Sequence, residues 1–337
     1  MIKIVVDCFG GDRSPKVNIE GAVQALNEIK DLYLILTGDE QILNNELKLY
    51  KYDASRLEIL HAPDIITCND KPTDAIRSKK ESSLVKGFDL LRYDESVRGI
   101  VSIGSTGAVL SGAVMKVGRI KGVKRPAFCP ILPTMAGGIV GICDSGANVD
   151  CDPLHLVQFA VMGSLYLEKA YGIKNPKVAL LNIGTEEEKG DALRKETFQL
   201  LKNNSQINFV GNMESRDLLT GAYDLVVCDG FSGNVLIKST EGTAMELMKL
   251  LKKSMTKSFK NKLGAALLKK DVYQIKDMMD YNNYGGGVML GVTKTIVKGH
   301  GGSKSAAIYN CIKQAYSMEK NNLCFSIGEE IVKLSQE

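Results

Sequence analysis

The sequence predicts an α/β fold: a Rossmann-like, mostly parallel sheet with helices on both faces. Two observations carry this. The first is a set of short β-branched and aliphatic runs that each stop at a loop of glycine, asparagine, serine and aspartate. They read IVVDCFGGD from Ile4, IVSIGSTG from Ile100, VGICDSGANVDCDP from Val140, VALLNIGTEEEKG from Val178 and DLVVCDGFSGN from Asp224. Apolar runs bounded by turn residues are the pattern of strands buried on both faces. The second is that helical spacing fills the segments between them, and alternation of this kind makes parallel strands joined by crossover helices.

The elements follow in order. The opening MIKIVVD is a strand rather than a signal peptide, because no long apolar stretch follows a basic start. Pro15 to Ile29 is a helix with proline in its first turn. Leu32 to Gly38 and Leu57 to Ala62 are the second and third strands. Thr73 to Leu91 is helical, with Gly87 breaking its apolar positions, and a helix of small residues follows Gly104 up to Val117. Arg125 to Thr134 contains three prolines, which lack the N–H a ladder needs, so it is an edge strand or an irregular connection. Pro153 to Tyr171 is a helix with Leu156, Phe159, Ala160 and Gly163 on one stripe. The second half continues with strand 177–183, helix 189–202, strands 207–211 and 224–229, and a long helix from Gly233. Val288 to Gly299 reads as a hairpin or bent strand pair, and Ser303 to Met318 as a helix capped by serine. Without a repeat or a low-complexity linker, residues 1–337 are expected to form one α/β catalytic domain, from which 244–276 protrudes.

Composition narrows the class. Apolar residues make up 44% and charged residues 24%, as in ordinary soluble globular chains. No apolar run is long enough to span a bilayer. The eight cysteines show no C-x-x-C pair and fall partly inside strand runs, which suits reduced cytosolic thiols. The net charge of +4 is uneven: residues 244–276 carry nine lysines against Glu246 and Asp271, a local +7, which leaves the rest at −3 (4 minus 7). With only Phe259 and Tyr273 as aromatics there, this is not the interleaved pattern of a nucleic-acid binder.

Motifs for G-x-G-x-x-G dinucleotide binding, G-x-x-x-x-G-K-[ST], G-x-S-x-G and H-E-x-x-H are absent. The loops themselves supply the candidates. In Asp7 to Asp12, the pair Gly10 and Gly11 lets backbone approach a ligand, and the helix start behind it offers amides to an anion; a plain tight turn explains it equally. Ser102 and the Gly104–Gly107 loop, with Thr106 and Gly107, repeat the pattern, although Ser105 also fits as a helix cap. In Ser145 to His155, Asp150, Asp152 and His155 stand on one segment with mixed facings, which argues against a metal, and Cys151 is a weaker candidate nucleophile than Asn148 is a ligand donor. Asn182, Gly184 and Lys189 end another strand, and Lys189 is unusual because a cation at a helix start is unfavourable without an anion nearby. Asn212, Asp229, Gly230 and Asn234 complete the polar loops, and His300 lies between glycines.

With these stretches together, the chain resembles the bacterial phosphate acyltransferases, acyl-ACP:phosphate transacylases. The matching runs are D-x-x-G-G-D-x-x-P from Asp7, V-S-x-G-x-T-G-A from Val101, I-L-P-T from Ile131 and G-A-N-V-D-C-x-P-x-H-L-x-Q-F-A-V-M-G from Gly146. They continue as L-L-N-I-G-x-E-E-x-K-G from Leu180, F-x-G-N-x-E-x-R-D from Phe209, V-V-C-D-G-F-x-G-N-x-x-x-K from Val226, and Y-G-G-x-x-x-L-G-V from Tyr284 with a later K-x-H-G. Cys8, Phe9, Arg13 and Ser105 depart from the residues usual at their positions. The resemblance implies a fold similar to phosphotransacetylases and isopropylmalate dehydrogenases, and transfer of a long-chain acyl group from acyl carrier protein to inorganic phosphate. It further implies a homodimer, peripheral membrane association in the cytoplasm, a downstream glycerol-phosphate acyltransferase, and neither cofactor nor metal. It points to Lys189 and Asn234 as catalytic, with His300 assisting proton movement. Phosphate is itself a nucleophile, so such an enzyme needs a dianion site beside a thioester carbonyl rather than a nucleophilic side chain.

The basic segment gains a role in the same light. Apolar residues at 244, 248, 251, 255, 259, 263 and 266 keep helical spacing, and Leu263, Leu267 and Leu268 are bracketed by Lys260, Lys262, Lys269 and Lys270. An apolar tip ringed by lysines suits an anionic membrane, and the same lysines suit an acidic carrier protein. An amphipathic helix pair with a solvated lysine face is the plainer alternative. Two rival functions remain at this point: a short-chain transacylase or dehydrogenase on the same fold, and a non-catalytic lipid- or carrier-binding protein.

Overall fold

The computed structural model describes residues 1–278 and 283–334. The first half runs β1 (Ile2–Asp7), α1 (Lys16–Glu28), β2 (Leu32–Gly38), α2 (Glu40–Leu47), β3 (Leu57–His61), α3 (Pro72–Ser78), α4 (Ser83–Tyr93), β4 (Val97–Ser102), α5 (Thr106–Gly112) and β5 (Ala127–Cys129). A second series follows: β6 (Ile131–Pro133), β7 (Ile139–Cys143), α6 (Pro153–Tyr171), β8 (Lys177–Asn182), α7 (Ala192–Lys202), β9 (Asn208–Glu214) and β10 (Leu225–Val227). Then come α8 (Gly230–Thr256), α9 (Phe259–Leu267), α10 (Lys269–Met278), β11 (Gly287–Leu290), β12 (Thr295–Lys298), α11 (Ser305–Lys320) and α12 (Leu323–Leu334).

The mostly parallel α/β architecture expected from the alternation is present, distributed over two sheets. One has the order β3-β2-β1-β4-β12-β11-β5 and the other β6-β7-β10-β8-β9. Among the described strands only β11 and β6 run against their sheets, so the loops leaving the other strands collect on common edges. The largest apolar core is continuous from α1, β1 and α11 to α6, β8, β10 and α12, and therefore joins the two sheets. The bridge is made where α6 packs on α11 and α12; on the first sheet, Gly21 lets α1 lie against α11, since a Cβ there would be 2.5 Å from the Ser305 carbonyl.

Several boundaries differ from the sequence reading, each for a local reason. The proline-rich stretch forms two edge strands, β5 and β6, one in each sheet, with Pro130 between them. The expected helix 73–91 is two helices; the break falls at Lys79–Ser82, where Ser82 caps α4, and not at Gly87. Gly87 instead lets α4 lie on the sheet, since its Cβ would meet Ile100 at 2.8 Å. The helix after Gly104 changes to a wider π turn over Ala113–Val117. Ser303 does not cap α11: Lys304 occupies that position, and the Ser303 hydroxyl is buried without a hydrogen-bond partner. The basic segment is three helices rather than one, and its last side chains, 274–276, lie outside the described ones.

Candidate active site

In the first sheet, parallel register aligns the ends of three strands: Asp7 pairs with Ser102, and Ser102 with Lys298. This is where the strand order reverses, the usual place for a ligand crevice in an open α/β sheet. Asp7 is buried, and its carboxylate is engaged within the fold. Its carboxylate accepts hydrogen bonds from Ser83 Oγ at 2.6 Å and Ser102 Oγ at 2.7 Å, while Ser102 Oγ accepts from the Gly104 N–H at 3.1 Å. Burial pushes this carboxyl up despite those donors. The pair thus holds two loops together, and Gly10 is required between them, because a Cβ there would lie 2.7 Å from both Asp7 Oδ2 and Gly104 N. Gly11, at φ +93°, brings Asp12 N within 2.9 Å of the Gly301 carbonyl and so adds the third loop. His300 is exposed at its rim, with Nδ1 accepting from Gly302 N at 3.1 Å. Accepting at Nδ1 leaves Nε2 to carry the proton of the neutral ring. Thr106 is exposed at the first residue of α5, and Gly107 lets that helix pack on Pro72. Lys298, absent from the sequence reading as a candidate, is largely buried beside this loop, and burial lowers its ammonium below the usual lysine value.

In the second sheet the organiser is Asp144, also missed in sequence. Its buried carboxylate accepts N–H groups from Phe128 at 2.8 Å, Ser145 at 2.7 Å, Ala147 at 3.2 Å and Asn148 at 2.7 Å. Asn148 spends its amide protons on Asp144 at 2.9 Å and on the Pro126 carbonyl at 2.7 Å, so it builds the turn instead of offering a ligand donor. The first turn of α8 sits directly on that turn. Gly230 N donates to the Asn148 carbonyl at 2.7 Å, and a Cβ on Gly233 would lie 2.0 Å from the Asp144 carbonyl oxygen. Asn234 comes next, half-buried, with its side chain facing Gly146.

Two further asparagines shape the loop that presents Lys189. Asn182 donates to the Lys189 carbonyl at 3.1 Å and accepts from Ile183 N at 2.8 Å, while Asn212 donates to the Glu186 carbonyl at 2.8 Å. Buried amides are ordinarily hydrogen-bonded; Asn182 meets this with backbone partners at both atoms, whereas the buried Oδ1 of Asn212 has no partner. Gly184 leaves room for the Lys189 stem, whose Cγ would be 2.9 Å from a Cβ there. Lys189 itself is exposed and makes no ion pair among the described residues. Asp150 is likewise exposed.

Arg194 joins this loop to α8, another link that sequence reading missed although its spacing from Asp191 was visible. Its guanidinium binds Asp191 at 2.9 Å, Ser232 Oγ at 2.9 Å and the Asp229 carboxylate. Asp229 caps α8 through Ser232 N at 2.8 Å. Burial alone would raise this carboxyl, but Ser232 and Arg194 outweigh burial and hold it below its usual value. Asp229 is thus tied into the fold as the cap of α8 and the ion-pair partner of Arg194. Arg194→Ala removes that carboxylate's ion pair, leaving only its Ser232 hydrogen bonds, and is expected to cost about 1–3 kcal/mol of stability at neutral pH, read from the urea midpoint at constant slope. A carboxyl held low in the fold stabilises above its unfolded value of 3.8, and that contribution is lost as pH falls through the lower folded value. The gap between wild type and Arg194→Ala should therefore narrow in acid; a gap independent of pH would assign Arg194 a packing role only.

The remaining sequence candidates separate cleanly. His155 Nδ1 accepts from Asp152 N at 2.9 Å as a helix cap, and the partly buried Cys151 thiol is pushed up to about 12 by burial and by Asp144 and Asp229. Neither fits a nucleophile pair. In the basic segment, Leu263, Leu267 and Leu268 are exposed on α9 and at its end, with Lys260, Lys262, Lys269 and Lys270 exposed around them. Beside them, α8, α9 and α10 line a half-open apolar cavity of about 780 Å3 against Leu132, Pro133 and Leu219. His300 and Glu241 line it too, so the cavity adjoins the loop of the first sheet. Burial raises the Glu241 carboxyl, opposed by His300, Lys298 and Lys238. No described helix is long and apolar enough to cross a membrane.

A family model described as fatty acid synthesis protein matches residues 2–326. The phosphate acyltransferase of Clostridium tetani (strain Massachusetts / E88) is 46% identical over 333 residues, covering 99% of this chain and 99% of its own. That of Clostridioides difficile (strain 630) is 44% identical over 336 residues, covering 100% and 98%. Among solved structures, a phosphotransacetylase from Streptococcus pyogenes superposes with a TM-score of 0.60 at 18% identity, covering 94% of each chain. A branched-chain phosphotransacylase from Enterococcus faecalis V583 gives 0.54 at 15% identity, covering 95% of this chain and 100% of its own. These two likenesses speak to fold.

Proposed function

Because the chain belongs to the fatty acid synthesis protein family and is an acyltransferase of the phosphate acyltransferase kind, we propose that it moves a long-chain acyl group from acyl carrier protein to inorganic phosphate. The product is an acyl phosphate, an activated acyl donor for a glycerol-phosphate acyltransferase in phospholipid synthesis. The observation that carries this reading is the apolar cavity, whose polar end holds His300 and Glu241 beside the glycine loops. Its volume of about 780 Å3 falls within the range of small-molecule sites. Each methylene buried there contributes about 0.8 kcal/mol, which a long acyl chain gains and an acetyl group does not.

The chemistry needs few side chains. Lys189 supplies the charge that holds the phosphate dianion, and Asn234 donates to the thioester oxygen as negative charge develops on it. A phosphate oxygen attacks the thioester carbon, the carbon–sulfur bond breaks, and the thiolate takes a proton, with His300 as the candidate shuttle. The exposed lysines of the α9–α10 tip suit an acidic carrier protein, and Leu263, Leu267 and Leu268 suit the surface of an anionic membrane. The same reading makes the protein a cytoplasmic homodimer, associated peripherally with that membrane.

The test is acyl phosphate formation from palmitoyl-acyl carrier protein and phosphate, trapped by hydroxylamine. Phosphate-dependent product is expected. Product from acetyl-CoA alone would place the chain with short-chain transacylases.

A further inference from the structure

The cavity has a direction. Along α8, Glu241, Met245, Met248, Leu251 and Met255 recur at three- and four-residue spacing and form one stripe of its wall. His300 stands at the Glu241 end of the wall, and Leu132, Pro133, Ala265 and Ala266 of α9 and Val272 of α10 complete the lining. From Thr240 to Thr256 the helix rises about 24 Å at 1.5 Å per residue. An extended sixteen-carbon chain spans about 20 Å, from carbon–carbon bonds of about 1.5 Å. The groove and the chain match in length.

Which end takes the thioester follows from the fold. Asn234 lies two helical turns before Glu241, about 10 Å along α8, whereas Thr256 is about 33 Å from it. Only the Glu241 end puts a thioester within reach of the polar loops. The cavity wall also includes Lys249, Lys252, Lys262 and Lys269, whose apolar stems can lie along hydrocarbon while their ammonium groups reach water.

Resting on the acyl-transfer reading above, we propose that the acyl chain lies along this α8 stripe, thioester beside His300 and Glu241 and methyl end toward Met255, and that Met248 and Met255 set the accepted chain length. Methionine suits such a wall. Its unbranched thioether adapts to chains that differ by a few carbons, so the natural preference is broad. A bulky ring at Met248 blocks the groove midway, and one at Met255 blocks only its far end.

The experiment measures kcat/KM for eight-, twelve- and sixteen-carbon acyl carrier protein thioesters with full-length wild type, Met248→Trp and Met255→Trp. Met248→Trp is expected to lower the ratio of sixteen- to eight-carbon turnover by about thirty-fold, and Met255→Trp by about five-fold, within the range a filled apolar pocket discriminates. Short-chain turnover also reports that each variant is folded; where Met248→Trp does not fold, Met248→Phe is measured for the same ratio. A uniform loss at every length, an unchanged ratio, or the reverse order of the two sites overturns the proposal. So does a change of oligomeric state in sedimentation with length preference intact, which would assign the groove to a second copy of the chain. If wild type itself uses no carrier thioester of any length, the functional reading falls and this inference with it; an active wild type with length-blind variants overturns the inference alone.

Discussion

Lys189→Ala is expected to lower kcat/KM for acyl phosphate formation by about 10²- to 10³-fold, the usual cost of removing one preorganised charge-stabilising donor. The melting temperature should move little, because the side chain is exposed and its ammonium holds no ion pair among the described residues. The loop that carries it is kept in shape by other groups, Asn182 and Asn212, which bind its backbone. Loss therefore reflects chemistry and not collapse. If Lys189 holds phosphate, the effect concentrates in a raised KM for phosphate, with the KM for the acyl donor nearly unaffected. Near-wild-type turnover at low phosphate would remove Lys189 from the mechanism.

Gly233→Ala is expected to reduce turnover by about 10²-fold while changing stability by no more than about 2 kcal/mol. The added methyl would sit 2.0 Å from the Asp144 carbonyl oxygen, so either α8 or the Asp144–Asn148 turn must retreat. Overpacking of this kind costs about 1–3 kcal/mol, partly offset by the helix preference of alanine over glycine, about 1 kcal/mol. Asn234, the next residue, moves with the helix, and a displacement near 1 Å at a reacting group is enough for about a 10²-fold loss. The check compares turnover with urea denaturation of the same variant. Full activity would mean that Asn234 is not held to a demanding position, and a stability loss well above this value would mean that Gly233 is chiefly a folding residue.

The two predictions separate what could be read from the chain and what could not. Lys189 stood out because a cation at the head of a helix is electrostatically unfavourable, and it is exposed as an unsatisfied charge should be. Asn148, Asn182 and Asp229 looked equally ligand-like, yet their polar atoms are used largely within the protein. A polar side chain at a strand end looks the same in sequence whether it faces a ligand or a carbonyl. Asp144 and Arg194 were passed over for the converse reason, since the partners that make them organisers, Phe128 and Asp229, lie on distant segments.

By itself the sequence determined the α/β class, the strands that end in glycine loops, and an amphipathic lysine-rich segment near 250. Hydrophobic period and turn chemistry are local properties, and these features depend on little else. Only the tertiary structure decided that the strands divide into two sheets, that glycines 10, 230 and 233 serve contact between loops, and that α8 lines an apolar cavity ending at His300. Those outcomes rest on which distant backbone groups must be hydrogen-bonded once buried, and on which apolar faces find each other, and neither is encoded in any one stretch of chain.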